Sequence, residues 1–242
     1  MTLALHLYRR VMRRGRLIAL LALSSVPALV FWLTGLDPGG DLDSLYSDIV
    51  ATAGFSFAIA VLILTVATLR EERDAGTLPY LYMRPIGRLS MAASSLLAGI
   101  GAALTLAFGG WMMTLLAVLA VGADPAVAFA GLAQFVAAAI GYAALFVPLG
   151  YLVPRSILVG LGYIIVIESI LANVVTGLAQ ISIWRIALSV YADITPAWSA
   201  QDAGDVLGPV SAGVGGGLVK LVAVLLLGLG VLTWALRSRD AL

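Results

Sequence analysis

The chain has 242 residues, of which 62% are hydrophobic and 11% charged, and its mean hydropathy is +1.06. A soluble domain of this size cannot bury so much apolar surface in one core, so the composition excludes an ordinary soluble protein and predicts a lipid environment. The net charge of +1 hides a pattern, because the charged residues cluster in the gaps between apolar runs. With no cysteine and one histidine, His6, ahead of the first apolar run, we expect no metal site and no catalytic site.

Six apolar stretches are long enough to cross a bilayer core, which is about 30 Å thick and needs roughly 20 helical residues. The third is longer than a span requires, so we expect part of it to tilt or protrude. Residues 1–242 are therefore predicted to form a single all-α transmembrane domain. Its spans are expected at about 17–34, 49–69, 91–121, 127–153, 157–180 and 214–236.

The basic residues fall mainly on one side of this arrangement. Of fourteen lysines and arginines, all but Arg185 and Lys220 lie in the N-terminal segment, the second loop, the turn before the fifth span and the C-terminal tail. Because basic loops stay in the cytoplasm, both termini are predicted to be cytoplasmic in a cell membrane.

Two segments outside the spans are predicted to lie at the membrane surface. Residues 1–16 place Ala4, Leu7 and Val11 on one side, as in an amphipathic helix on the cytoplasmic leaflet. The apolar run that opens residues 181–213 is too short and too aromatic to cross, so we expect a hairpin that lies in, or dips into, the outer interface. The N-terminal arginines face anionic head groups, or alternatively act only as topology determinants. They are Arg9, Arg10, Arg13, Arg14 and Arg16.

The second cytoplasmic loop, residues 70–90, contains several residues that determine where helices begin and end. Gly76 can end the helix that continues from the second span, and Thr77 suits an N-cap. Pro79 is tolerated in a first helical turn, and Pro85 disfavours helix at the residue before it. The pattern predicts a two-turn helix over residues 78–83 that lies across the membrane surface.

This short helix would present an apolar and aromatic face to the cytoplasm. Leu78, Leu81 and Tyr82 share one side, with Tyr80 and Met83 beside them. Such a face suits docking into a groove of a soluble partner. Packing of the same side chains onto the protein's own helices is the alternative.

The loop resembles that of the type-2 export permeases of ATP-binding-cassette (ABC) transporters, whose pattern is roughly E-x-x-x-G-T-L-x-x-L-x-x-x-P-x-x-R. Pro79 departs from the family, which more often has an acidic or polar residue there. The resemblance implies that the short helix is a coupling helix in a cleft of an ATPase subunit. The residues it assigns to coupling are Glu72, Gly76, Thr77, Leu78, Tyr80, Leu81, Tyr82, Met83, Pro85 and Arg88.

The chain itself lacks a phosphate-binding loop. Its one lysine, Lys220, lies between Val219 and Leu221 and not in a G-x-x-x-x-G-K-[ST] pattern. We therefore expect a transport subunit that is not an enzyme, with ATP and Mg on a partner chain and no nucleic-acid partner. The resemblance implies two permease copies, identical or closely homologous, with two ATPase copies in a bacterial or archaeal plasma membrane.

Glu168 is the one acid inside a predicted span, and an acid at membrane depth is a functional hypothesis by default. With Asn173 and Thr176 on the same stretch, it could line a polar substrate path or bind a cationic group. The alternative is a protonated side chain, or a structural pair with a residue such as Lys220. An ion-coupled carrier or channel, an intramembrane hydrolase and a scaffold are the other functions considered.

Overall fold

The computed structural model describes residues 2–36, 41–74, 87–171, 179–208, 210 and 213–238. These residues form helices joined by short turns, and no strand occurs among them. The helices are α1 (Thr2–Val11), α2 (Arg14–Ser24), α3 (Val26–Gly35), α4 (Leu42–Ala53), α5 (Phe55–Asp74), α6 (Arg88–Val121), α7 (Pro125–Leu152), α8 (Ser156–Gly162), a π-helical segment (Tyr163–Leu171), α9 (Ile183–Ile194), α10 (Ala200–Leu207) and α11 (Val214–Ser238).

Four helical stretches in the described part of the chain are long and apolar enough to cross a membrane: Leu42–Arg73, Arg88–Val121, Pro125–Leu152 and Val214–Ser238. The bent pair α2 and α3 makes a fifth if it is counted as one span. An all-helical protein with apolar helices of spanning length is thus confirmed. The fifth predicted span is described only as the shorter apolar helix Ser156–Ile170, so six spans stay a prediction.

The first predicted span is bent by 42° between α2 and α3. Pro27, in the first turn of α3, has no N–H for the helical ladder, and its ring crowds the preceding turn. The hydroxyls of Ser24 and Ser25 donate to the carbonyl of Leu21, at 2.9 and 2.8 Å. Pro27 therefore interrupts the helix, and the two serine hydroxyls bind the carbonyl of Leu21 next to the bend.

The second predicted span begins earlier than expected. Asp41 caps α4 by accepting a hydrogen bond from the N–H of Ser44 at 3.0 Å, which draws Leu42 and the following residues into a helix. Gly54 separates α4 from α5. The predicted connector between the first two spans is consequently part helix.

The four long stretches differ in how deeply they are buried. The most apolar window of Leu42–Arg73 is 80% buried and that of α7 is 67% buried, against 33% for α6 and 22% for α11. The helices α5 and α7 therefore form the centre of the bundle, while α6 and α11 expose large apolar side chains that suit lipid. At 1.5 Å per residue, α6 is about 50 Å long, which exceeds a bilayer core of about 30 Å.

Three buried clusters follow one another along the bundle. The middle one contains Phe57, Leu106 and Tyr142. A second cluster joins α3, α4, α9 and α10 to the α6–α7 turn, where Gly122 ends α6 in a left-handed conformation. A third joins α1, the end of α5, the start of α6 and the ends of α7 and α11. The N-terminal helix, the end of α11 and the two helix ends that flank the second loop thus share one end of the bundle.

Glycines bring α7 into backbone contact with two of its neighbours, α5 and α11. A Cβ on Gly150 would lie 2.4 Å from the carbonyl oxygen of Val66, and one on Gly228 would lie 2.2 Å from that of Ala144. Pro148, inside α7, supplies no N–H to this same Ala144 carbonyl. Close approach through glycine is a common way of packing helices in membranes, where apolar burial between helices gives little driving force.

The predicted hairpin over 181–213 contains the helices α9 and α10 in its described part. The side chains of α9 are buried on several sides against α7 and α11, so this helix dips into the bundle. A reciprocal cap between Ser199 and Asp202 starts α10, and hydrogen bonds from Ser199 lower the pKa of the Asp202 carboxyl.

Candidate functional site

The start of the predicted coupling loop is framed by a cluster of ion pairs. Glu72, near the end of α5, is only 3% exposed. One of its oxygens accepts a hydrogen bond from Nη1 of Arg10 at 2.6 Å, and the imidazole of His6 lies 3.7 Å from the same oxygen. An acid buried this deeply requires a nearby cation or several hydrogen-bond donors. Helix α1 supplies the cation, Arg10.

The neighbouring acid, Glu71, contacts both helices that meet at the turn between α1 and α2. Its carboxylate pairs with the guanidinium of Arg16 and lies 4.0 Å from Nε of Arg10. Arg16 also donates twice to the carbonyl of Val11, at 3.1 and 2.6 Å, which satisfies the last turn of α1. The turn between α1 and α2 is therefore attached to the end of α5.

A third arginine ties the end of α5 to α7. Nη1 of Arg73 donates to the carbonyl of Tyr151 at 3.0 Å. Leu3, Leu7 and Val11 of α1 are buried, with α1 packed on α5 and α6. The N-terminal helix, α5 and α7 are thus joined at the point from which the loop departs.

The structure divides the five N-terminal arginines. Arg10 and Arg16 are half-buried in the ion pairs, whereas Arg9, Arg13 and Arg14 are exposed. Of the predicted coupling residues, Glu72 and Arg88 are described, and Arg88 begins α6. The others lie outside the described residues: Gly76, Thr77, Leu78, Tyr80, Leu81, Tyr82, Met83 and Pro85.

The second candidate site surrounds Glu168, which lies on the π-helical segment Tyr163–Leu171. The hydroxyl of Ser169 donates to the carbonyl of Ile164, five residues earlier, at 3.1 Å. Wider π turns rotate the following side chains relative to a continuing α-helix, and such turns are frequent at functional sites. Here the segment brings Glu168 towards α7 and the start of α9.

The Glu168 carboxylate accepts four hydrogen bonds. The hydroxyl of Tyr142 on α7 donates to Oε2 at 2.5 Å. Three groups donate to Oε1: the hydroxyl of Tyr163 at 3.3 Å, that of Ser182 at 3.4 Å and the backbone N–H of Trp184 at 3.1 Å. All four donors are neutral, and the last two belong to the N-terminus of α9, where the helix dipole stabilises negative charge.

This carboxylate lines a cavity of about 610 Å³ near the start of α9. Its described lining includes three charged side chains and several aromatic ones. The lining residues are Asp48, Phe55, Tyr142, Ile164, Glu168, Ser169, Ser182, Trp184, Arg185, Leu188 and Val206.

The residues expected near Glu168 are only partly those found there. Lys220, the suggested structural partner, donates instead to the side-chain oxygen of Gln180 at 2.6 Å. Asn173 and Thr176 lie outside the described residues. Tyr142 and Trp184 were not predicted from the sequence. The only feature that could have indicated them is an aromatic side chain with a hydrogen-bond donor inside an apolar stretch.

No protein-family model matches the chain, and no curated protein matches it at a significant level. The fold and the two sites define an all-helical protein whose described part has apolar helices of membrane-spanning length. It carries a charged cluster at one end of the bundle and a polar cavity beside α9.

Proposed function

We propose that the chain is the membrane permease subunit of an ATP-driven ABC exporter of the type-2 family. In this proposal two permease copies form the substrate pathway in a cell membrane, and two separate ATPase chains bind to their cytoplasmic loops. The end of the bundle that carries the termini and residues 70–90 faces the cytoplasm, in keeping with its basic loops.

The observation that carries the proposal is the position of Glu72, the first residue of the loop pattern. It is buried and paired with Arg10 of α1, while the adjacent Arg73 binds the end of α7. A force applied to a loop with this attachment is transmitted to several helices at once, because the ion pairs and hydrogen bonds oppose independent movement. A coupling loop needs such a rigid attachment; a solvated connector does not.

An ion-coupled carrier or channel is the second candidate, and one observation favours it. Glu168 lies in a cavity among hydroxyl groups, as an acid that binds a transported ion would. A carrier of that kind works without an ATPase, so the presence of a partner separates the two functions.

The proposal predicts that a P-loop ATPase co-purifies with the solubilised protein from its native membrane in equal amount. Leu81→Asp would place a charge on the predicted docking face, and we expect recovery of the ATPase to fall roughly 30-fold or more, as for a central anchor of an interface. Quantitative mass spectrometry measures the ratio of the two chains.

Gln201→Asp is the matched control, because it adds the same charge at an exposed site in the first turn of α10, outside residues 70–90. An acid there suits a helix N-terminus. Equal recovery of the ATPase with both variants, or transport by the purified chain alone, would exclude the proposed role of the loop.

A further inference from the structure

The charges that line the Glu168 cavity do not balance. Its described lining holds two acids, Asp48 and Glu168, and one base, Arg185. The guanidinium of Arg185 donates to the carbonyl of Leu207 at 2.6 Å. With both acids ionised, the lining carries one net negative charge, which attracts a cation.

Glu168 itself has hydrogen-bond donors but no cationic partner among the described side chains. Its four donors are neutral, and no described lysine, arginine or histidine lies within 4.0 Å of its oxygens. Lys220, the lysine on α11, is engaged with Gln180. A carboxylate in a partly enclosed site gains most from a full opposite charge, because neutral donors compensate it only in part.

Apart from the hydroxyls of two serines, the remainder of the described wall is apolar and aromatic. Phe55, Tyr142 and Trp184 contribute rings, and Ile164, Leu188 and Val206 contribute aliphatic side chains. A cavity of about 610 Å³ is within the usual size range of small-molecule sites, which combine a mostly apolar wall with a few polar groups. Aromatic faces also attract cations, most strongly when these are poorly hydrated.

The position of the indole of Trp184 is determined by the chain itself. A Cβ on Gly54, between α4 and α5, would lie 1.8 Å from this ring, so only glycine admits it there. The backbone N–H of the same residue binds Glu168. The aromatic wall and the carboxylate are therefore held in a fixed relation, as in a preorganised site.

We propose that this cavity binds a monovalent organic cation with a hydrophobic body, of the alkyl- or arylammonium class. The ammonium group lies at Glu168 and Asp48, and the apolar body lies against Phe55, Trp184 and Leu188. The claim that this cation is the transported substrate rests on the proposed function. The claim that the cavity binds it does not, and binding is measured on the chain without an ATPase.

Isothermal titration calorimetry of the full chain in neutral detergent, with benzyltrimethylammonium as the probe, tests the site. We expect saturable binding that Glu168→Gln weakens about tenfold or more, since the amide oxygen still accepts from Trp184 while the charge is lost. Asp205→Asn is the matched control, because it removes an exposed acid on α10 outside the lining and should leave the affinity unchanged.

A second pair of measurements separates charge recognition from simple apolar binding. Asp48→Asn should weaken binding of the same probe, and neopentylbenzene, its uncharged carbon analogue, should compete poorly. The proposal is overturned if folded wild-type protein does not bind the cation, if Glu168→Gln binds it equally well, or if the neutral analogue competes equally. Saturable cation binding by a chain with which no ATPase co-purifies from the native membrane would support the site and count against the exporter. Co-purification of the ATPase with a chain that does not bind the cation would do the reverse, so the two failures are distinguishable.

Discussion

Gly228→Ala is expected to destabilise the bundle by about 3 kcal/mol, within the range seen when a packed interior is overfilled. The new Cβ would lie 2.2 Å from the carbonyl oxygen of Ala144 and 3.1 Å from its carbonyl carbon. Backbone atoms of a central helix cannot move aside as a side chain can, so α11 would have to separate from α7. The apparent melting midpoint in detergent should fall by roughly 6–12 °C.

Gly230→Ala is the control on the same helix. A Cβ at that position would meet nothing within 4 Å, and alanine has the higher helix propensity, so stability should be unchanged or slightly increased. Similar midpoints for the two variants would show that α11 does not contact α7 at Gly228, and the packing described above would be incorrect.

Arg10→Met is expected to cost about 3 kcal/mol, because it removes the cation nearest to the buried carboxylate of Glu72. Glu72→Gln should cost less, since Arg10 is only partly buried and can turn to solvent. The double variant should be more stable than the sum of the single effects predicts, by about 1–3 kcal/mol, as for residues in direct contact. Thermal unfolding of all four proteins measures this coupling.

The adjacent Arg9 provides the matched control. It is exposed on α1, so Arg9→Met should change stability by no more than about 0.5 kcal/mol. Additive effects of Arg10→Met and Glu72→Gln would show that these residues do not interact, and α1 would no longer be attached to α5 through this pair.

The all-helical character and the presence of apolar helices of spanning length were the most predictable part of the fold, because they follow from the length of the apolar runs. The bend at Pro27 and the α7 start at Pro125 also follow from local chemistry, since proline and the Asp124 cap act on their own helix. Asp41 is likewise a cap of its own helix, yet α4 begins at Leu42, ahead of the span predicted from about residue 49, because polar residues interrupt the apolar run there.

The partners of charged side chains were not predictable in the same way. Arg10 and Glu72 are 62 residues apart, and Tyr142 and Glu168 are 26 residues apart on different helices. Local periodicity does not report which helix faces meet. The π-helical segment had no sequence signal either, because its apolar composition suits an α-helix equally well.

Site-specific cross-linking from position 82 tests the central claim, that residues 78–83 dock onto a separate ATPase, most directly. The chain contains no cysteine, so Tyr82→Cys carries a photoactivatable reagent at one site. Gln201→Cys on α10, at the opposite end of the bundle, is the control. We predict a covalent product in native membranes between position 82 and a P-loop ATPase, absent from position 201. A product in which position 82 is joined only to other helices of this chain would contradict the account.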